Sequence, residues 1–213
     1  MGRSKLIVKI FVGTSDEDDI VAEQTLEYTL KKHSSEPIEI TWMRPSNMGK
    51  WNNGSWGTPF TGFRWAIPSM CDFKGRAIYM DVDMICLHDI AEFWNMDMGN
   101  NTVMARNYSN RKEFSMLLFD CEKIKLPGLD SIRSFTNFSF SMSNNLKGVG
   151  FFDDAWNVID GENFDISEIK VLHYSHRPSQ PWSPKWFKGK KEPHRRPELV
   201  KLWNDLYEES QNN

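Results

Sequence analysis

The chain has 213 residues, of which 39% are hydrophobic, enough for one substantial core, and no repeat or Ser/Gly/Pro tract divides it. Its formal net charge of −3 provides no general basic field, which argues against a nucleic-acid partner and leaves any bound anion to local groups. A single domain over residues 1–213 is expected, with 185–213 a basic tail and helix. Cys71, Cys86 and Cys121 lack the CxxC spacing of zinc or redox motifs and read as buried reduced thiols. No apolar run approaches the roughly 20 residues that span a bilayer. The basic, apolar N-terminus reads as a first strand rather than a signal peptide, so a cytoplasmic protein without a transmembrane segment is expected.

In chain order, KLIVKIFVG at 5–13 alternates and then turns continuously apolar before a glycine, as a buried strand does on leaving a sheet. Ser15 and Asp18 resemble a capping pair for a helix that carries Ala22, Leu26 and Leu30 on one face and ends in Lys31 and Lys32. IEITW at 38–42 is the next strand, so the opening unit is strand, helix, strand with parallel pairing. Residues 44–59 form a long loop, read as part of a site rim. FTGFRWAIPSM predicts a helix burying Phe63, Ile67 and Met70, kinked or ended near Pro68. RAIYMDVDMICLHDI runs from an apolar strand into Asp-Val-Asp, with AEFW a short amphipathic segment after it. TVMAR, SMLLFD and KVLHY read as strands and PELVKLWNDLYEE as an amphipathic closing helix. The sum is an α/β protein with a mixed, mostly parallel sheet flanked by helices.

In an extended chain, residues i and i+2 face the same side, so Asp81 and Asp83 present two hard oxygen ligands to one point while Val82 faces away. Their place after an apolar strand matters, because open α/β sheets bind ligands outside the carboxyl ends of their strands. His173 closes the KVLHY strand and is a candidate third ligand, its imidazole suiting Mn²⁺ better than Mg²⁺. His176 and Arg177 add donors for phosphate oxygens.

AIYMDVDMICLHDI resembles the strand, Asp-x-Asp and Asp-Ile block of GT-A-fold glycosyltransferases of family eight, the glycogenin-like retaining enzymes. FTGFRWAIP is similar to the Arg-bearing helix before that block, GFFDDAWNV to the Asp-Gln-Asp-x-x-Asn segment, and HYSHRPSQPW to the His-x-x-Gly-x-x-Lys-Pro-Trp ending. More narrowly, the chain resembles the glycosyltransferase domain of a multidomain chlorovirus protein, which implies further domains in a longer native chain. The family resemblance implies a GT-A (Rossmann-like) nucleotide-sugar-binding domain that moves a hexose or deoxyhexose from a UDP-linked donor to a glycan hydroxyl, with retention. It implies Mn²⁺ (or Mg²⁺) on Asp81, Asp83 and His173, and donor contacts from Thr14, Arg64, Asp81, Val82, Asp83, Ser115, His176, Trp182 and Lys188. Asp153 and Asp154 are the candidate catalytic carboxylates. The departures fall on reactive positions: Gln180 stands for the closing Lys, His176 for the Gly in a turn one residue longer, and Phe152 for the first Asp of the acidic segment, with Asp153 at its Gln position. Glu113, Phe114 and Ser115 stand where the family has an Asn-x-Gly turn. Diphosphate charge then falls to His176, Arg177, Lys185 or Lys188.

The same residues admit plainer roles. Asp153 and Asp154 suit the start of the AWNVI segment as caps. Trp182 and either Trp51 or Trp56 are candidates for stacking on a sugar ring, although most tryptophans of a small domain serve the core. KWFKGKKEPHRR reads as a solvated tail, an anion-binding rim or a membrane-surface patch. Two rival functions are a phosphatase of the haloacid dehalogenase type, with Asp81 as nucleophile and Asp83 as acid, and a sugar-binding module without catalysis.

Overall fold

The computed structural model describes residues 6–51, 58–126, 129–134, 146–182 and 187–212. Its strands are β1 (Val8–Gly13), β2 (Ile38–Met43), β3 (Arg76–Asp81), β4 (Met84–Cys86), β5 (Val103–Tyr108), β6 (Arg111–Asp120), β7 (Val149–Phe151), β8 (Val158–Ile159) and β9 (Val171–His173). The helices are α1 (Ile20–His33), α2 (Pro45–Met48), α3 (Ile67–Met70), α4 (Ile90–Trp94), α5 (Leu129–Ser134) and α6 (Pro197–Gln211), with 3-10 turns at Thr61–Ala66, Asp154–Asn157, Ile166–Glu168 and Arg177–Ser179.

The main sheet runs β2-β1-β3-β6-β5-β7. β1 pairs in parallel with β2 and β3, and β5 with β7, while β6 runs antiparallel to both β3 and β5. One reversed strand therefore makes the expected mixed, mainly parallel sheet. The reversal comes from a tight hairpin between β5 and β6, whose turn residues Ser109 and Asn110 both adopt positive φ, as a two-residue loop requires. β4, β9 and β8 form a second, smaller sheet. The chain passes from one sheet to the other in the step from β3 to β4, and that step is Asp81-Val82-Asp83. β4 pairs with β9 so that Met84 lies opposite His173, and the Tyr174 amide donates to the Asp83 carbonyl at 2.8 Å. The register of three residues thus carries a distant histidine to the seam.

Several elements differ from the pattern-based reading. α1 starts after Asp19 rather than at Ser15, whose Oγ instead accepts the Asp18 amide in the preceding turn. The FTGFRWAIPSM segment is a 3-10 turn followed by α3, with Pro68 in the first turn, where a missing N–H costs nothing. Phe63 and Ile67 are buried as expected, but Met70 is exposed. Residues 44–51 include the short α2, and 52–57 lie outside the described residues.

The closing helix behaves as its periodicity implies. Leu199, Trp203 and Leu206 are buried on one face, and Glu209 meets Lys32 and Tyr28 of α1 at 2.5 and 2.9 Å. Trp203 stacks between Trp182 (5.2 Å) and Tyr207 (5.4 Å). Trp203→Ala leaves a cavity in the middle of this stack, and a loss of about 3 kcal/mol or more is expected in urea unfolding. An unchanged midpoint would show that α6 adds nothing to the core.

Candidate active site

β3 delivers Asp81 to the edge of a cleft of about 260 Å³. Two residues earlier on the same strand face, the fully buried Tyr79 donates its hydroxyl to Asp81 Oδ1. Gly13, beside Asp81 in the β1–β3 register, makes this possible, because a Cβ there would lie 2.5 Å from the Tyr79 hydroxyl. Arg64 is buried below, 4.6 Å over the Tyr79 ring, with Nη2 3.1 Å from Asp81 Oδ1. Its Nε donates to the Thr61 carbonyl at 2.8 Å and its Nη1 to the Phe114 carbonyl. The guanidinium is spent on holding Asp81 and two backbone oxygens, so Arg64 acts through Asp81. Burial works against its charge, but Asp81, Tyr79, Glu113 and Asp83 together outweigh that and raise its pKa.

Asp83 lies one turn on. Gln180 Nε2 donates to its Oδ2 at 3.0 Å and to the Tyr174 carbonyl at 2.7 Å. Its Oδ1 lies 3.2 Å from His173 Nε2, within ion-pair range but without the alignment of a hydrogen bond, and is left buried without a donor. On the other side of the ring, His173 Nδ1 is 3.3 Å from Ser115 Oγ, which accepts Asn157 Nδ2–H at 2.9 Å. A hydroxyl oxygen can accept both, so Nδ1–H on Ser115 leaves Nε2 free to bind a metal.

One donor atom each from Asp81, Asp83 and His173 lie within 4.8 Å of one another. Two carboxylate oxygens and an imidazole nitrogen suit a divalent cation, and the orphaned Asp83 Oδ1 is the acceptor that such a cation would satisfy. The charges reflect the crowding. Burial, opposed by Arg64 and reinforced by Asp83, raises Asp81 to about 6. Burial lowers the His173 pKa, but Asp83 above all, then Asp81 and Glu113, outweigh it and push it up to about 9. A proton on His173 therefore offsets part of the carboxylate charge.

The expected site residues divide. Arg64, Asp81, Val82, Asp83, Ser115, His173 and Trp182 all line the cleft. Thr14 does not: it is fully buried and spends its hydroxyl on Glu23 at 2.7 Å. His176 is exposed, holds Ser179 Oγ at 2.8 Å and faces a neighbouring cavity, while the adjacent Arg177 lines the cleft. Lys188 is exposed and Lys185 lies outside the described residues. Trp182 lends its Nε1–H to Asp19 at 3.3 Å and its face to the α6 stack. Trp51 packs edge-on against Phe63, and Trp56 lies outside the described residues.

Asp153 and Asp154 are exposed and do not line the cleft. Asp153 accepts the Ala155 amide at 2.9 Å, the capping role, and Asp154 pairs with the buried Arg106 at 3.3 Å. Pattern reading missed Asp19 and the structural reach of Tyr79, while Asn157, a matching position of the acidic segment, meets Ser115. Tyr79 was legible as a strand neighbour of Asp81 two residues away, whereas Asp19 carried no signal.

A family model described as glycosyl transferase family 8 matches residues 8–158. The chain belongs to this family. The match includes Arg64, Asp81, Asp83, Ser115 and Asn157 and stops before His173 and the 174–182 turn. Protein CDI of Arabidopsis thaliana is 24% identical over 211 residues, covering 84% of this chain and 80% of that protein. Among solved structures, the bifunctional glycosyltransferase WbbM superposes with a TM-score of 0.65 at 11% identity, over 96% of this chain and 50% of that one. Streptococcus pneumoniae GlyE gives 0.63 at 17%, over 97% and 63%. The galactosyltransferase LgtC, solved with donor and acceptor sugar analogues, gives 0.61 at 12%, over 95% and 96%. These likenesses establish the GT-A fold. The chain spans about half of WbbM and under two thirds of GlyE.

The charge state of His173 would make the binding of a cation at this group pH-dependent. Its folded pKa, about 9, stands above the ordinary 6.5, so its stabilisation of the metal-free protein is complete below about 6.5 and lost as pH rises through 9. Binding a cation must displace that proton. Affinity for Mn²⁺ is expected to rise up to about tenfold per pH unit between 7 and 8.5, with about one proton released per ion in calorimetry in two buffers. A flat profile without proton release would contradict the ion pair.

Proposed function

We propose that this family 8 chain transfers a glycosyl group from a nucleotide sugar to a glycan hydroxyl, with a divalent cation, Mn²⁺ ahead of Mg²⁺, held by Asp81, Asp83 and His173. The observation that carries the reading is the buried Asp83 Oδ1, without a hydrogen-bond donor, beside two further ligand groups at the mouth of the cleft. A cation bound there would supply charge stabilisation for the leaving diphosphate.

The chain's own residues prepare that position. Arg64 and Tyr79 fix one oxygen of Asp81, and Gln180 fixes one oxygen of Asp83, so neither carboxylate must reorganise on binding. Arg177 stands in the cleft wall, where a guanidinium matches phosphate oxygens, and takes the charge role that Gln180 cannot. We assign the sugar-facing carboxylate to Glu113. It lines the cleft, whereas Asp153 and Asp154 serve a cap and Arg106. A UDP-linked hexose or deoxyhexose as donor, and transfer with retention, belong to the proposal by family resemblance. A cytoplasmic setting belongs to it on the free thiols of Cys71, Cys86 and Cys121, and further domains on the partial coverage of WbbM. Among the described residues no helix is long and apolar enough to cross a membrane.

The phosphatase alternative needs Asp81 free to attack, yet its Oδ1 already takes the Tyr79 hydroxyl and Arg64. The binding-module alternative gives no role to a buried carboxylate oxygen, Asp83 Oδ1, that lacks a donor.

The test is release of UDP, GDP or CDP from a panel of nucleotide sugars with Mn²⁺, with EDTA, and in Asp83→Ala. At least one UDP-sugar is expected to turn over, with a loss of about 100-fold or more on chelation and in the variant. Turnover of p-nitrophenyl phosphate instead, lost in Asp81→Asn, would replace this reading with the phosphatase.

A further inference from the structure

A second cavity of about 190 Å³ adjoins the cleft, and Ser175 lines both. Its walls are Ile159, Asp160, Ser175, His176, Ser179, His194 and Arg195, with Gly161 at the β8 end. At its base Asp160 is buried. Its Oδ2 accepts His194 Nε2–H at 3.1 Å and its Oδ1 accepts the Ser175 hydroxyl at 3.3 Å. The tautomer is set from behind, because His194 Nδ1 accepts the Arg196 amide at 3.0 Å. Each Asp160 carboxylate oxygen thus has a donor.

Segment 187–196 supplies His194 and Arg195 to the wall and is pinned to the body at several points. The Glu192 amide donates to the Pro178 carbonyl at 2.9 Å, His194 holds Asp160, and Arg196 Nη1 donates to the Glu162 carbonyl at 2.9 Å. The segment carries five Lys or Arg residues against one Glu, in a protein whose formal charge is −3. Arg195 lines the cavity, is exposed, and has no ion-pair partner among the described residues. Lys190 and Lys191 are exposed on the same segment. His176, the residue that departs from the family's glycine, forms part of the wall.

A cavity whose wall carries two serine hydroxyls, two imidazoles and the guanidinium of Arg195, joined to a cleft proposed to hold a sugar donor, offers partners to ligands that are both polyhydroxylated and anionic. We propose that this cavity binds an acidic saccharide, of the uronic-acid class, as the acceptor end of the reaction. Its role as acceptor site rests on the transferase reading; the binding itself does not. Asp160, already satisfied, then serves as a hydrogen-bond floor for sugar hydroxyls and Arg195 as the carboxylate partner. Arg195 touches neither the proposed metal ligands nor the donor cleft.

The test is calorimetric titration of the full chain with trigalacturonate, with neutral maltotriose and with inorganic sulfate, for wild type and Arg195→Glu, whose thermal unfolding serves as the folding control. Trigalacturonate is expected to bind at least tenfold more tightly than maltotriose or sulfate and to lose at least tenfold in the variant. UDP-sugar hydrolysis without acceptor should stay unchanged. Equal binding of the two trisaccharides, equal binding of sulfate, or insensitivity to Arg195→Glu would each overturn the proposal. Absence of UDP-sugar hydrolysis in the wild type, with saccharide binding intact, would sink the transferase reading and leave the acidic-saccharide site standing.

Discussion

The structure depends on placing two carboxylates two residues apart at the seam between two sheets. Asp81 ends β3 of the large sheet and Asp83 precedes β4 of the small one, and both side chains are half-buried. Like charges this close, partly removed from water, are unfavourable unless compensated. Around the pair, Arg64 and Tyr79 hold Asp81, Gln180 holds Asp83, and His173 carries a positive charge against both. The compensation is incomplete by one buried oxygen, Asp83 Oδ1.

That constraint explains much of the remaining architecture. The small sheet is short, but the β4–β9 register and the Tyr174–Asp83 backbone bond fix His173 beside a residue 90 positions earlier in the chain. Gly13 must lack a side chain so that Tyr79 can reach Asp81. Ser115 and Asn157, from two different parts of the chain, meet behind His173 and orient its ring.

Where one residue's neighbours lie close in sequence, the pattern was informative. β1, α1, β2, β3, β6 and α6 follow from apolar periodicity, and Asp81, Asp83 and His173 from strand ends and family resemblance. β4 and β8, three and two residues long, carry no period to read. Thr14 was misplaced because its hydroxyl is captured by Glu23, nine residues on and a helix turn inside α1. His176 faces the other cavity, and Arg177, the next residue, lines the cleft instead. Trp182 does reach the cleft, yet its face serves the α6 stack, a contact with residue 203 that no local pattern announces. The carboxylates at 153 and 154 were legible as caps as well as catalytic candidates, and among the contacts seen the cap and the Arg106 pair are what they form.

The central claim is that Asp81, Asp83 and His173 together hold one divalent cation. The most direct measurement is anomalous diffraction at the manganese edge from crystals of the protein soaked in Mn²⁺ and UDP. The account requires a single strong peak bounded by the two carboxylates and His173 Nε2, absent from Asp83→Asn crystals. A peak elsewhere, or none in crystals that do contain UDP, would contradict it.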